Sequence, residues 1–294
     1  MKKPAVLMAS CLAFFSIILP ASAQSAGAGG GACAGGYTVT ARQASGQTYD
    51  PIESTRAILR INLQPHATDI PQGCTSLPVT ITPQSSSTFA FTNGGNTIGF
   101  TQINSNLVSQ ANVTRFELNG NARGQLVRGN AIDIDLFEIT AGQFLAAGEY
   151  QGSVLVQVGN GLPTPVLFTI TVQPAIKFVI ENGSLNKELS FGEVTNGASV
   201  RSIVFYQSNA AVLITIQSQN QGAMVHESGR AFGTIPYSMT YDGAPVNLAT
   251  AAQITKPFSG LGTRREQLLL RVEPQRERFA GNYRDVLTLN YTAF

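Results

Sequence analysis

The feature that most constrains this chain is the recurrence of short runs in which every second residue is apolar. Ile132, Ile134 and Leu136 alternate with Asp133, Asp135 and Phe137. Val154, Val156 and Val158 share one face, as do Val166, Phe168, Ile170 and Val172. Leu268, Leu270 and Val272 repeat the pattern, followed by Leu287, Leu289 and Tyr291. A period of two turns one side of a strand to a core and the other to solvent. Gly, Asn, Pro and Ser bound the runs, as turns require. No segment shows a convincing amphipathic helical period. The chain therefore reads as all-β, built as a sandwich or barrel.

An internal repeat narrows this further. Tyr49-Asp50-Pro51 resembles Phe191-Gly192-Glu193, and Leu77–Ile81 resembles Val212–Ile216. Ile98-Gly99-Phe100 matches Ile235-Pro236-Tyr237, and Ile132–Leu136 matches Leu268–Val272. Ala147-Gly148-Glu149-Tyr150 matches Ala280-Gly281-Asn282-Tyr283. The offsets are 142, 135, 137, 136 and 133, in order along the chain. Each repeat is of domain size, so two tandem immunoglobulin-like sandwiches are expected, over residues 37–174 and 175–294. The repeats differ at two places. The first continues past its Tyr150 strand into Val166–Val172, whereas the second reaches Phe294 within its Tyr283 strand. The second sandwich is expected to lack its final strand. That leaves an acceptor edge at Val286, Leu287, Leu289 and Tyr291, to be filled by strand addition or by the chain's own N-terminal segment. The first repeat also carries seven extra residues in the loop Gln64–Gly73.

Lys2 and Lys3, the apolar run to Leu19 and Pro20-Ala21-Ser22-Ala23 read as a secretory signal peptide over residues 1–23. Its removal takes the formal charge from +2 to 0, which argues against capture of nucleic acid. Cys33 and Cys74 then remain as an even pair in an oxidising compartment, and one disulfide is expected. Residues 24–36 form a glycine-rich tail, and Gln24–Ala32 holds no side chain larger than Gln and no apolar one larger than Ala. Such a tail resists ordering as a strand. The chain is thus expected to accept a strand and not to donate one.

Leu189-Ser190-Phe191-Gly192, Leu213–Gln219, Ile235–Gly243 and Ala280-Gly281-Asn282-Tyr283-Arg284-Asp285 with its following strand carry a resemblance. The second repeat resembles the spore-coat-protein-U-like subunits of archaic chaperone–usher pili, over about 120 residues. The first repeat is similar more loosely. The second repeat departs from many single-domain pilins in lacking the cysteine pair that they carry. The resemblance implies that a periplasmic chaperone, and then the next subunit, supplies the missing strand at an outer-membrane usher. Two-domain members are similar to tip adhesins. It therefore implies export through the periplasm to a pilus tip and contact with a surface or host receptor. A non-adhesive adaptor, a periplasmic assembly factor and a secreted hydrolase are the competing readings. On the sandwich topology the loops of one pole bring Ile70, Pro71, Leu126, Val127, Leu162 and Pro163 together, an expected adhesive surface that could equally be packed inward.

Chemistry is sparse. The two histidines, His66 and His226, lie 160 residues apart, so no histidine-based metal site is expected. Asp133 and Asp135 share one strand face, which fits an outward polar face better than a catalytic carboxylate pair. No cofactor is expected, and the chain reads as a binding protein, not an enzyme.

Overall fold

The computed structural model describes the chain apart from residues 1–38, 44–46, 54–55, 66–76, 85–89, 103–107, 113–114, 160, 180–184 and 277. The expected signal peptide and both Cys33 and Cys74 lie outside the described residues. The first half holds β1 (Val39–Gln43), β2 (Gln47–Tyr49), β3 (Ala57–Pro65), β4 (Pro78–Pro83), β5 (Phe91–Asn93), β6 (Asn96–Ile98), β7 (Phe100–Gln102), β8 (Val108–Asn112), β9 (Arg115–Leu118), α1 (Gly120–Val127), β10 (Ile132–Ile139), β11 (Gly148–Val158) and β12 (Thr164–Val172). The second half holds β13 (Ile176–Phe178), β14 (Ala198–Ser208), β15 (Val212–Ser218), β16 (Ala223–His226), β17 (Thr234–Pro236), β18 (Ser238–Tyr241), β19 (Ala244–Val246), β20 (Ala252–Lys256), β21 (Arg264–Val272), β22 (Tyr283–Arg284) and β23 (Leu287–Ala293).

The fold is all-β, as the alternation demands. In the first half, the sheet β1-β3-β10-β7 faces the sheet β2-β12-β11-β4-β9-β8. Inward residues of both sheets form one core, with Leu59, Ile61, Leu63, Val154, Val156, Phe168 and Ile170 all buried. Phe91, Phe100, Phe137 and Phe168 meet edge to face at centroid distances of 5.1–6.1 Å, the geometry their ring quadrupoles favour. The outer face carries the polar partners. Asn62 donates to Asp133 across β3 and β10 at 2.7 Å, and Arg60 pairs with Asp135. These carboxylates are thus cross-strand partners on a solvent face.

Two sequence expectations are corrected here. Phe137 does not share the outer face with Asp133 and Asp135. A bulge between Asp135 and Phe137 shifts the register, and Leu136 and Phe137 are both buried. The segment holding Leu126 and Val127, expected as a loop of the adhesive pole, contains α1. Asn119 caps it, accepting from the Ala122 amide at 2.9 Å, and Ala122 and Leu126 enter the core one turn apart.

In the second half, the sheet β13-β14-β21-β18-β19 faces β20-β15-β23, with a small sheet β17-β16-β22 at one end. Its core is not continuous. Tyr206, Val212, Ile214, Ile216, Met239, Tyr241, Leu248, Leu268 and Leu270 form one cluster, and Met224, Ile235 and Val272 another. Phe191 and Tyr237, only partly buried, touch both. The repeat is visible at single-atom level. Tyr150 donates its hydroxyl to Ala146 O, and Tyr283 does so to Phe279 O, each at 3.0 Å. The halves meet at Asn209, which is fully buried and bonded to Ala147, Gln173 and Ala175.

Candidate functional site

The strands that follow the two matched tyrosines are in different situations. In the first half β11 is paired on both sides, Val156 with Ile81 of β4 and Val154 with Val166 of β12. Its inward residues Val154, Val156 and Val158 are at most 5% exposed. β12 is in turn joined by β2 in parallel, with Val172 opposite Tyr49.

In the second half β23 pairs with β15, Leu289 opposite Ile216 and Tyr291 opposite Ile214. Among the described residues no strand lies on its other side. The inward-facing Leu287, Leu289 and Tyr291 are only half-buried, and Val286 is 56% exposed. Ser190-Phe191, the counterpart of Thr48-Tyr49 in β2, has no strand partner among the described residues. Of the four residues expected at the acceptor edge, Leu287, Leu289 and Tyr291 lie in β23, paired on one side only among the described residues, and Val286 directly precedes it.

Asp285 fixes the start of this edge. Its carboxylate accepts from Ser218 Oγ (2.6 Å), from the Asn220 amide and side chain (3.0 Å each) and from the Tyr237 hydroxyl. Burial, reinforced by that hydrogen bond to Asp285, holds the Tyr237 phenol well above its ordinary pKa. The other end is closed by aromatic rings. Phe178 meets Tyr291 edge-on at 5.2 Å, and Tyr291 lies 5.3 Å from Tyr206. The Tyr241 and Tyr291 hydroxyls bond each other at 3.1 Å, and Tyr206 donates to the buried Glu266. Lys256 stands 3.0 Å from Glu266 Oε2 and 2.8 Å from Asp242. Burial opposes the Lys256 charge, but the two carboxylates outweigh it and raise its pKa. These residues were not expected from sequence. Glu266 falls in register with Leu268 and Leu270, and that parity was the available signal.

The expected adhesive pole divides. Ile70 and Pro71 lie outside the described residues, as does the side chain of Val127. Leu126 is wholly buried in the core and is corrected from surface to core. Its α1 position one turn after Ala122 turns it inward. Leu162, at 75% exposed, and Pro163 stand open in the β11–β12 turn. The structure adds the exposed Pro165 and Leu167 on the outer face of β12, beside Leu155 of β11. Leu167 was legible in principle, because it lies out of phase with Val166 and Phe168.

No protein-family model and no curated protein matches this sequence. Chaperone–usher tip adhesins are among the solved structures similar to it. The chaperone–tip adhesion subunit pre-assembly complex of archaic Csu pili from Acinetobacter baumannii matches at 14% identity and a TM-score of 0.47, over 88% of this chain and 100% of that one. The CupB6 tip adhesin from Pseudomonas aeruginosa matches at 11% identity and a TM-score of 0.32, over 87% and 93%. A chaperone–tip adhesin complex of CFA/I fimbriae matches at 11% identity and a TM-score of 0.33, over 81% and 75%. At these values the architecture rests on the strand pairing above.

Proposed function

We propose that this chain is a binding protein at the tip of a chaperone–usher pilus, held to the fibre by a strand that another subunit adds to β23. The observation that carries this is the contrast between the doubly flanked β11 and the single-sided β23. An edge strand with half-buried apolar residues is a template for strand addition. The incoming strand would run antiparallel to β23, as β12 does to β11, and parallel to Ser190-Phe191, as β12 does to β2. A periplasmic chaperone would cover the edge before assembly at the outer-membrane usher. The glycine-rich segment 24–36 offers no side chains to fill such an edge in a neighbour, which favours a terminal position. The first half would carry the adhesive surface, at the β11–β12 turn. Cys33 and Cys74 would be joined.

A synthetic peptide with the sequence of β12, Thr164–Val172, tests the acceptor edge in the full chain. A ligand that binds only the folded state stabilises it by about 2.7 kcal/mol at 100 times its Kd. The melting temperature should rise with peptide concentration, and Leu289→Arg should abolish the rise. A melting temperature indifferent to the peptide would count against strand acceptance. The Cys33–Cys74 bond closes a loop of about 40 residues and should contribute roughly 3–4 kcal/mol. Mass spectrometry of exported protein should show neither thiol free.

A further inference from the structure

The joint between the two halves shows what happens beside a strand of this kind as it leaves its sandwich. β12 ends with Val172 opposite Gly148 and runs through Gln173, Pro174 and Ala175 into the second half. The turn after β14 closes over that exit. Asn209 donates its side-chain amide to Gln173 O at 2.9 Å, and its Oδ1 accepts from the Ala175 amide at 2.7 Å. The Asn209 carbonyl accepts from the Ala147 amide at 2.8 Å. The residues just before Gly148 are therefore the seat of the domain that follows the strand.

The second half repeats this seat with different side chains. The matched tyrosine hydrogen bonds, Tyr150 to Ala146 and Tyr283 to Phe279, make Phe279 the counterpart of Ala146 and Ala280 that of Ala147. Gly281 then stands for Gly148, beside which a strand along β23 would leave. Ala146 is 7% exposed at the joint, whereas Phe279 is 64% exposed. Phe279 meets Phe232 edge-on at 6.1 Å, and Phe232, also exposed, stacks on the His226 ring at 5.7 Å. His226 holds the seat in place through Ala280 O at 3.1 Å and the Ser228 amide at 3.0 Å. Arg230, Arg278 and Arg284 are exposed around it, as is Glu227, whose carboxylate accepts from the Asn282 amide and side chain. The two exposed phenylalanine rings adjoin one another at this pole, and adjoining exposed apolar side chains are a feature that contact surfaces carry.

We propose that this pole of the second half docks the body of the subunit whose strand fills the β23 edge. The occupant is a sandwich like the second half here, seated through the turn after its own long strand, as the Asn209 turn is seated on Ala147. The apolar centre favours loops that are apolar in the middle, and three arginines against the single Glu227 among the described residues favour neutral to acidic groups around it. This inference rests on the strand-acceptor reading and extends it from a strand to a rigid joint.

Photocrosslinking in the full chain, expressed in cells that assemble the fibre, separates the two readings. One probe replaces Thr288, on the outward face of β23, with p-benzoylphenylalanine. A second replaces Phe279, and a third Phe232, where an aromatic ring replaces an exposed aromatic ring. The Thr288 probe should trap an extended alternating-apolar segment. The Phe279 and Phe232 probes should trap loops of the sandwich that follows that segment in the same partner chain. If Thr288 traps the segment but the phenylalanine probes trap another protein, or nothing, the docking inference is overturned and strand acceptance stands. If Thr288 traps no such segment, strand acceptance itself fails and takes the docking inference with it. In Phe232→Ser/Phe279→Ser protein, the melting-temperature rise caused by the β12 peptide should be unchanged, while the Thr288 crosslink to the assembled partner falls several-fold.

Discussion

Gly148 and Gly281 occupy the same post in the two halves, and both need to be glycine. Their φ angles are +128° and +150°, a region that side chains avoid. A Cβ on Gly148 would stand 2.6 Å from Asn93 Nδ2, and one on Gly281 would stand 2.2 Å from His226 Nε2. Backbone strain and collision therefore act together in Gly281→Ala. It should destabilise the second half by roughly 1–3 kcal/mol, read from urea unfolding. The double variant with His226→Ala removes the collision and leaves the strain, so it should lose less than the two single effects added. Full additivity would mean that the ring and the glycine are independent. The Ala-Gly-x-Tyr motif was legible in the sequence as a repeat. Its physical reason was not, because the ring pressed against Gly281 comes from His226, 55 residues earlier.

At the scale of elements, alternation located the strands well because each has one buried and one solvated face. It failed where a strand departs from period two. The β10 bulge puts Leu136 and Phe137 on the same side, and no composition signal marks it. α1 escaped because, among its described side chains, only Ala122 and Leu126 are buried in the core, and two of its eight residues are glycine. The expectation of an open edge at β23 came from comparing the two repeats, which needs no three-dimensional information. The exposed hairpin was half-legible: Leu162 and Pro163 from loop position, Leu167 only from strand phase. That hairpin carries the adhesive prediction. Leu162→Ser with Leu167→Ser should change stability by no more than about 0.5 kcal/mol, since both side chains are already in water. Attachment of cells bearing normal pili should fall. Leu126→Ala serves as the contrast. It should cost about 2–5 kcal/mol by opening a core cavity and reduce the amount of assembled protein. Undiminished attachment in the hairpin variant would move the adhesive surface elsewhere.

Across the whole molecule, the two halves are expected to differ in their sensitivity to alkali. Tyr206, Tyr237, Tyr241 and Tyr291 all lie in the second half, and burial raises the pKa of each. Tyr291 is pushed up to about 12. In the first half burial raises the pKa of Tyr150. The neutral phenol is the form the fold accommodates. Below the unfolded pKa of about 10 both states keep their protons, and the tyrosines' contribution is complete. Above it the unfolded chain releases protons that the native state retains, so stability falls as pH rises towards the folded pKa. Each phenol contributes a slope of up to about 1.4 kcal/mol per pH unit in that window. The second half should therefore unfold between about pH 10 and 12 while the first half persists. Limited proteolysis would then leave the first half intact, and phenolate absorbance would rise in one cooperative step. Tyr241→Phe with Tyr291→Phe removes a bonded hydroxyl pair together, so stability at neutral pH should change little while the alkaline midpoint rises. The β12 peptide should raise that midpoint as well, because a filled edge binds only the folded second half and Tyr291 lies at one end of it. Loss of the first half before the second on raising the pH would break the link between the tyrosine-walled core and the open edge.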